Sequence, residues 1–391
     1  MHVALIDPSL FTLPYDRGLA EGLESDGHRV TLFGRTSEAD DFAAGGISLA
    51  PHFYRVAHSR IAKALPKPLR LALKGMDHAV SMLRLPDVLR RQKVDVIHFQ
   101  WLVLPMIDRR MLARLRLVAP LVLTVHDTKP FNGDPSARLQ QRGFLSALEA
   151  FDRLIVHTRQ GWERLVECGV PSDRLALVPH GLLVQPPDEV VRDPMEGKVT
   201  FLLFGKIKPY KGLDLLIEAF ASMPPALQAQ ARIRVVGKPY MDIAPFAEQA
   251  ARLGIGDRLE IEPRFIDDDE IPDLFGPGVV AMFPYREIEA SGVLSIALAH
   301  GRPVIAAELG SFAETITDGL QGRLVPPEDA TSLGLAMAHM LSDRHFAAQC
   351  SVEAGNLFRN IPSWSEIGRM TGGVYRAAGV PALHAPMLTH A

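Results

Sequence analysis

The feature of this sequence that most constrains its fold is an alternation. Short runs that are apolar almost throughout are each followed by a stretch of helical spacing, along nearly the whole chain. The runs in the first half are VALID (3–7), RVTLFG (29–34), VDVIHF (94–99), LVLTVH (121–126), RLIVHT (153–158) and LALVPH (175–180). Amphipathic stretches lie between them at Asp16–Ser25, Pro105–Leu117 and Ala137–Ala150. Runs without polar alternation suit strands covered on both faces, which means parallel strands joined by helical crossovers. Near 185–198 the text becomes QPPDEVVRDPMEGK, rich in Pro and charge and without a period, and reads as a linker. The alternation then restarts with VTFLLFG (199–205), RIRVVG (232–237), RLEIEP (258–263), VVAMFP (279–284) and PVIAA (303–307). Pattern alone therefore predicts an α/β chain of two successive open parallel sheets. Ligands of such sheets sit beyond the carboxyl ends of the strands.

Composition agrees. A chain of 391 residues is about twice an ordinary domain. At 47% apolar and 22% charged residues it is neither disordered nor fibrous. Two cysteines, Cys168 and Cys350, are too few for a disulfide framework or a zinc cluster and point to a reducing compartment. The opening HVALID reads as a strand rather than a leader, and no apolar run approaches the ~20 residues of a membrane-spanning helix. The expectation is a cytoplasmic protein. Residues 51–116 carry 14 basic and 4 acidic side chains. Such a field concentrates anions and suits the inner face of an anionic membrane; the competing reading is a solvated basic helix face.

The strand ends carry the candidate chemistry. After TFLLFG come Lys206, Lys208 and Lys211, crowded beside the start of the helix LDLLIEAF. Ammonium charge and oriented N–H groups there would neutralise phosphate; the bland alternative is a basic turn. Further on, Glu287 and Glu289 precede Ser291-Gly292-Val293, which opens a helix whose first N–H groups can hold an anion, while a neighbouring carboxylate can accept sugar or ribose hydroxyls. In the first half, His126 and Asp127 end a central strand, where a histidine can bond a substrate hydroxyl or serve only as structure. Tyr15 and Asp16 are candidate acceptor contacts, and His98, Gln100 and Trp101 a candidate wall for a sugar ring. Neither a G-x-G-x-x-G turn after the first strand nor a P-loop is present. The acidic run Asp267–Asp269 is read as the cap of the helix DEIPDLF rather than a metal site.

The succession FGKIKPYKGLDLLIEAF, VVGKP and PYREIEASGVLSIALAHGRPVIAAELGSFAETITDGLQGRLVPPED closely resembles the donor-binding half of the family 4 glycosyltransferases. GLAEGLESDGHRVTLFG, VDVIHFQWL, LTVHDT, RLIVHT and VPHG fall where that family's first half has its own motifs, and the resemblance runs from Met1 to about Gly379. It implies a GT-B fold: two Rossmann-like domains facing across a cleft. Residues 1–185 would form the acceptor-binding domain, 186–198 the linker and 199–362 the nucleotide-sugar-binding domain. Residues 363–379 would be a helix crossing back to the first domain, and 380–391 a loose tail.

The activity implied is metal-independent, retaining transfer of a hexose from a UDP- or GDP-linked sugar, with no cofactor, to a glycan acceptor. The basic segment fits a lipid-linked acceptor in polysaccharide or glycolipid synthesis, with a small soluble metabolite as the alternative, and nucleic acid is not an expected partner. By position, Lys206 stands where the family has Arg, and Lys211 matches its Lys; both would grip the diphosphate, with Gly205 and Lys208 beside them. Ser291, Gly292 and Val293 match the diphosphate-binding turn. Glu314 matches the acidic residue near the nucleotide ribose, and His126 the histidine that bonds the transferred sugar. The family's paired glutamates are not intact: Ile288 and Ile296 occupy their places, and a one-residue slip brings Glu289 into the first role. Pro8–Pro14 replaces the expected glycine-rich turn. Two other readings fit the same plan: an epimerase or phosphorylase acting on the nucleotide sugar alone, and a non-catalytic subunit of a partner transferase.

Overall fold

The computed structural model describes residues 1–36, 46–59, 62, 64–128, 143–181, 197–288 and 291–379. The linker at 186–196, the tail 380–391 and Glu289 lie outside the described residues. The chain divides into two compact units, Met1–Gly181 with the segment that begins at Pro362, and a second unit ending at Ile361.

The first unit is built on a seven-stranded parallel sheet: β1 (His2–Ile6), β2 (Arg29–Gly34), β3 (Leu49–Pro51), β4 (Val96–Phe99), β5 (Leu121–Val125), β6 (Arg153–Val156) and β7 (Leu175–Leu177). Their order across the sheet is β3-β2-β1-β4-β5-β6-β7, the permutation that parallel crossovers on both faces produce. β1, β4 and β5 are buried at every position, as text apolar but for His2, His98 and Thr124 leads one to expect. The three-residue β3 escaped the sequence reading. It is held by register with Leu32, Phe33 and Gly34 of β2 rather than by its own propensity.

The longest helix, Lys67–Gln92, carries Pro86 within it. One face buries His78, Met82, Leu85 and Leu89, at spacings of four, three and four. The opposite face leaves Leu69, Met76, Val80 and Leu83 exposed. Of the expected helix Ala137–Ala150, the described part forms Phe144–Leu148.

The C-terminal helix Trp364–Ala377 begins with a capping box between Ser363 and Glu366 and packs on the helix Leu13–Ser25. Glycine makes this packing possible. A β-carbon at Gly22 would fall 1.9 Å from the Trp364 carbonyl oxygen, and one at Gly18 would fall 2.0 Å from the indole.

The second unit holds β8 (Val199–Phe204), β9 (Ala231–Val236), β10 (Leu259–Glu262), β11 (Val279–Phe283), β12 (Val304–Ala307) and β13 (Gly322–Val325), in the parallel order β10-β9-β8-β11-β12-β13. Alternate residues of β8 serve different cores. Val199, Phe201 and Leu203 join one cluster and Leu202 the other, as a strand covered on both faces must do. No side chain caps the start of the helix Ile271–Leu274, and just before it Glu270 pairs with Arg264 at 2.6 Å and accepts the Asp267 N–H. Among the described residues, no helix is long and apolar enough to cross a membrane.

Candidate active-site elements in the two units

In the second unit, the strand-end lysines are set by a chain reversal after β8. Residues Pro209–Lys211 form one tight turn, and Gly212 at φ +69 starts the helix Leu213–Ser222. A β-carbon on Gly212 would lie 1.9 Å from the Pro284 carbonyl oxygen, so glycine lets the end of β11 close onto this turn. Arg286 completes the closure: its guanidinium donates to both oxygens of Asp214 at 2.9 and 2.7 Å, and its N–H to the Tyr210 carbonyl at 2.7 Å.

Lys211 is enclosed by this arrangement. Its side chain is buried at 4% exposure, Nζ donates to the Phe204 carbonyl at 2.8 Å, and the ammonium lies over the Tyr285 ring. Burial, with Lys206 and Lys208 adding like charge, pulls its pKa down to about 7. Lys206 is exposed, and Lys208 turns its ammonium over Tyr240. A β-carbon on Gly205 would meet Lys211 Nζ at 3.0 Å and Val293 Cγ2 at 3.4 Å, so Gly205, Lys211 and Val293 converge. Val293 belongs to the helix Gly292–Ala299, and no side chain caps its start at Ser291. Its first N–H groups, with the Lys211 ammonium beside Val293, are chemically suited to hold an anion.

In the first unit, four adjacent strands end in histidine: His98 in β4, His126 after β5, His157 after β6 and His180 beyond β7. His126 lies half-buried between Trp101, stacked on it at 5.2 Å, and the edge of Tyr15 at 4.8 Å. His157 and His180 also contact the Tyr15 ring, at 5.2 and 5.0 Å. His126 Nδ1 is 3.2 Å from His157 Nε2, and its Nε2 is 3.0 Å from the Gln100 carboxamide. Burial pulls all four histidines below the ordinary range, His98 and His157 to about 3, so the cluster is neutral at neutral pH. Behind it, Asp7 and Asp16 are fully buried side by side. Burial pushes both carboxyls up, and the neighbouring carboxyl adds to the rise of Asp16. Thr12 donates to Asp7 at 3.0 Å through its N–H and to Asp16 at 3.4 Å through its hydroxyl.

The model for "Glycosyltransferase Family 4" matches residues 17–184, and the model for "Glycosyl transferases group 1" matches residues 198–343. The chain belongs to the family 4 glycosyltransferases. A D-inositol 3-phosphate glycosyltransferase of Geodermatophilus obscurus is 30% identical over 64% of this chain and 60% of its own length. The one of Kribbella flavida is 28% identical over 77% and 75%. The chain thus spans about 60% of the length of the first of these relatives. The structure of Anabaena HepE in complex with UDP and glucose superposes with a TM-score of 0.73 at 16% identity, covering 96% of this chain and all of that one. That of WaaG, a glycosyltransferase involved in lipopolysaccharide biosynthesis, gives 0.68 at 16% identity over 97% and 100%. The fold is GT-B.

Several residues expected to meet substrate are interior. His98 is wholly buried, with its ring nitrogens 2.8 Å from the Tyr375 hydroxyl and 2.8 Å from Thr124, so it cannot wall a sugar. Asp16 is wholly buried and accepts from the Thr12 hydroxyl at 3.4 Å, and Tyr15 is 2% exposed inside the histidine cluster. Trp101 is half-buried, its ring against His126 and its N–H on Thr12 at 3.0 Å. Asp127 and Glu287 are half-buried, and Glu314 is exposed on the helix Gly310–Thr315. The sequence reading missed His157, His180, Tyr285 and the Arg286–Asp214 pair. Each histidine stood last in an apolar run, and that position was the available signal.

Proposed function

We propose that this family 4 glycosyltransferase moves a hexose from a UDP- or GDP-linked sugar to a hydroxyl of a glycan acceptor, with retention and without a metal. The observation that carries the reading is Lys211, desolvated beside Lys206, Lys208 and an uncapped helix start. A cation held in that state is stabilised by an anion, and the anion that grows in glycosyl transfer is the departing diphosphate. The UDP and glucose named with the HepE structure support a nucleotide-sugar donor. In the step proposed, the bond from the anomeric carbon to the diphosphate oxygen breaks as the acceptor oxygen bonds the same face. The acceptor proton passes to a leaving phosphate oxygen. Glu289 is the carboxylate assigned to stabilise the sugar, and a covalent sugar trapped on Glu289 or Asp127 would overturn the same-face step.

The experiment is a screen of donor hydrolysis with UDP and GDP sugars, with and without EDTA. A lipid-linked glycan and inositol 3-phosphate serve as acceptor arms, the latter because the curated relatives are named for it. Release of one nucleotide that survives EDTA supports the reading. Activity lost in EDTA removes the metal-free claim, and absence of nucleotide binding by calorimetry favours a non-catalytic subunit. Conversion of the donor without acceptor favours an epimerase.

A lipid-linked acceptor, met at the inner face of an anionic membrane, is favoured by one surface of the first unit. The exposed face of the helix Lys67–Gln92 borders a groove of about 410 Å³ lined by Leu73, Met76, Val80, Val88, Arg55 and Arg84 among others. Asp77 accepts the Val56 and Ala57 N–H groups at 2.8 Å each and ties the walls together. Apolar side chains beside exposed arginines suit an interfacial helix on anionic lipid.

A further inference from the structure

One hydrogen-bonded chain in the first unit has a direction that a single backbone atom decides. His157 Nδ1 lies 2.9 Å from the main-chain oxygen of Val178, and a carbonyl can only accept. His157 Nδ1 therefore carries the hydrogen. Burial holds this ring's pKa at about 3, so its other nitrogen is a bare lone pair. That lone pair faces His126 Nδ1 at 3.2 Å, which must then be the donor. His126 is neutral as well, because burial and the neighbouring rings pull its pKa well down. Its Nε2 is left as an acceptor.

The rest of the chain accommodates this assignment. The Gln100 carboxamide lies against His126 Nε2 with its oxygen at 3.0 Å. A half-turn of that isosteric group presents its NH₂ there instead and turns the oxygen toward His98 Nε2, which lies 3.5 Å from the group's other end. His98 Nε2–H then donates to Thr124 at 2.8 Å, and the Tyr375 hydroxyl donates to His98 Nδ1 at 2.8 Å. Every member is satisfied, as a buried polar network requires. With the opposite direction, His157 would set a lone pair against the Val178 oxygen.

We propose that His157 is a positioning residue that locks His126 in its Nδ1–H tautomer, so that His126 offers an acceptor nitrogen and receives a hydroxyl hydrogen rather than a phosphate or carbonyl oxygen. A substrate hydroxyl takes the lone pair by displacing the Gln100 NH₂, while the Gln100 oxygen still faces His98. The tautomer assignment stands on the bond to the Val178 oxygen and on the burial that keeps both rings neutral. The consequence for substrate rests on the reading of the chain as a glycosyltransferase in which His126 meets the sugar.

The test is long-range ¹H–¹⁵N correlation spectroscopy of the full chain labelled at histidine, without ligand, near neutral pH. The His126 signals are assigned by their loss in His126→Gln. The expected result is Nδ1 protonated and Nε2 bare in the wild type. His157→Leu, which offers no acceptor, moves the hydrogen to Nε2. His157→Gln, whose amide can donate to Val178 and accept from His126, restores Nδ1–H. An Nε2-protonated or cationic His126 in the wild type overturns the proposal, and so does an Nδ1–H form unchanged in His157→Leu. If the leucine variant does not fold, the wild-type spectrum still decides. With donor present, His157→Leu lowers kcat and spares nucleotide affinity, and His157→Gln recovers kcat. A protein that turns over no donor defeats the functional reading but leaves the spectra to decide the tautomer.

Discussion

The ammonium of Lys211 lies 5.1 Å from the centre of the Tyr285 ring and 2.8 Å from the Phe204 carbonyl oxygen, on a side chain only 4% exposed. The aromatic face and the Phe204 carbonyl substitute for water around the charge, and an incoming diphosphate completes the substitution. Lys211→Ala is therefore expected to lower turnover by about 10²-fold or more, the usual loss when one preorganised donor to developing charge is removed. Steady-state kinetics with circular dichroism check it. Unchanged turnover in a folded variant removes Lys211 from the site.

Nucleotide binding should take up a proton. Lys211 titrates at about 7 in the free protein, and a bound diphosphate raises it toward the ordinary lysine value. Above pH 7 the free lysine is increasingly neutral and must be protonated on binding. Affinity then falls as pH rises, approaching tenfold per unit if one proton is taken up. Calorimetry in two buffers of different ionisation enthalpy measures the uptake directly. Identical heats in both would count against a depressed Lys211.

Acid should weaken the first unit. His98 and His157 have folded pKa values of about 3, well below the ordinary value of 6.5. As pH falls below 6.5 the unfolded chain binds protons that the fold refuses, so stability present above that value is lost progressively down to about 3. Each group costs about 1.4 kcal/mol per pH unit in that window. The Asp7–Asp16 pair, whose pKa values are raised, works in the opposite sense. A urea midpoint for the first unit that declines between pH 6.5 and 4.5 is the expected outcome, and one that rises would contradict the buried neutral histidines.

The contact between the helices Leu13–Ser25 and Trp364–Ala377 should not tolerate a methyl group at Gly22, where it would reach the Trp364 carbonyl. Gly22→Ala is expected to cost about 1–3 kcal/mol, as overpacking does. Gly373→Ala supplies the control: its added carbon meets nothing nearer than Arg376 Nη2 at 3.8 Å, so it should be neutral or mildly stabilising. Equal melting curves for Gly22→Ala and wild type would mean the helices do not pack this way.

Vesicle co-sedimentation tests the membrane reading. Binding to anionic vesicles should exceed binding to neutral ones and fall with salt. Arg55→Glu with Arg84→Glu should abolish the preference, and Met76→Glu should weaken binding to both. Equal binding of wild type to anionic and neutral vesicles would sink the idea.

Much of the fold was legible because its signals are local. An apolar run covered on both faces announces a parallel strand whatever its neighbours are, and eleven such runs were readable. β3 and β13 were not, since three and four residues at or near sheet edges are held by register with a partner strand. The candidate site of the second unit was legible for the same reason: Lys206, Lys208, Lys211 and the Ser291–Val293 turn lie on two short segments. That of the first unit was not. Whether His98 faces substrate or interior depends on Tyr375, 277 residues away.

The sequence by itself determined two parallel α/β sheets, the family, and the residue at the end of each strand, because period and motif are properties of consecutive residues. Tertiary structure alone decided which of those strand-end residues touch one another and what charge they carry. The order β1-β4-β5-β6-β7 brings His98, His126 and His157 to the ends of neighbouring strands, with His180 just beyond the next. The helix from Trp364 lies against that cluster through Tyr375 and the Trp364 ring, 5.3 Å from Tyr15. Protonation depends on desolvation, and desolvation depends on what packs from far along the chain.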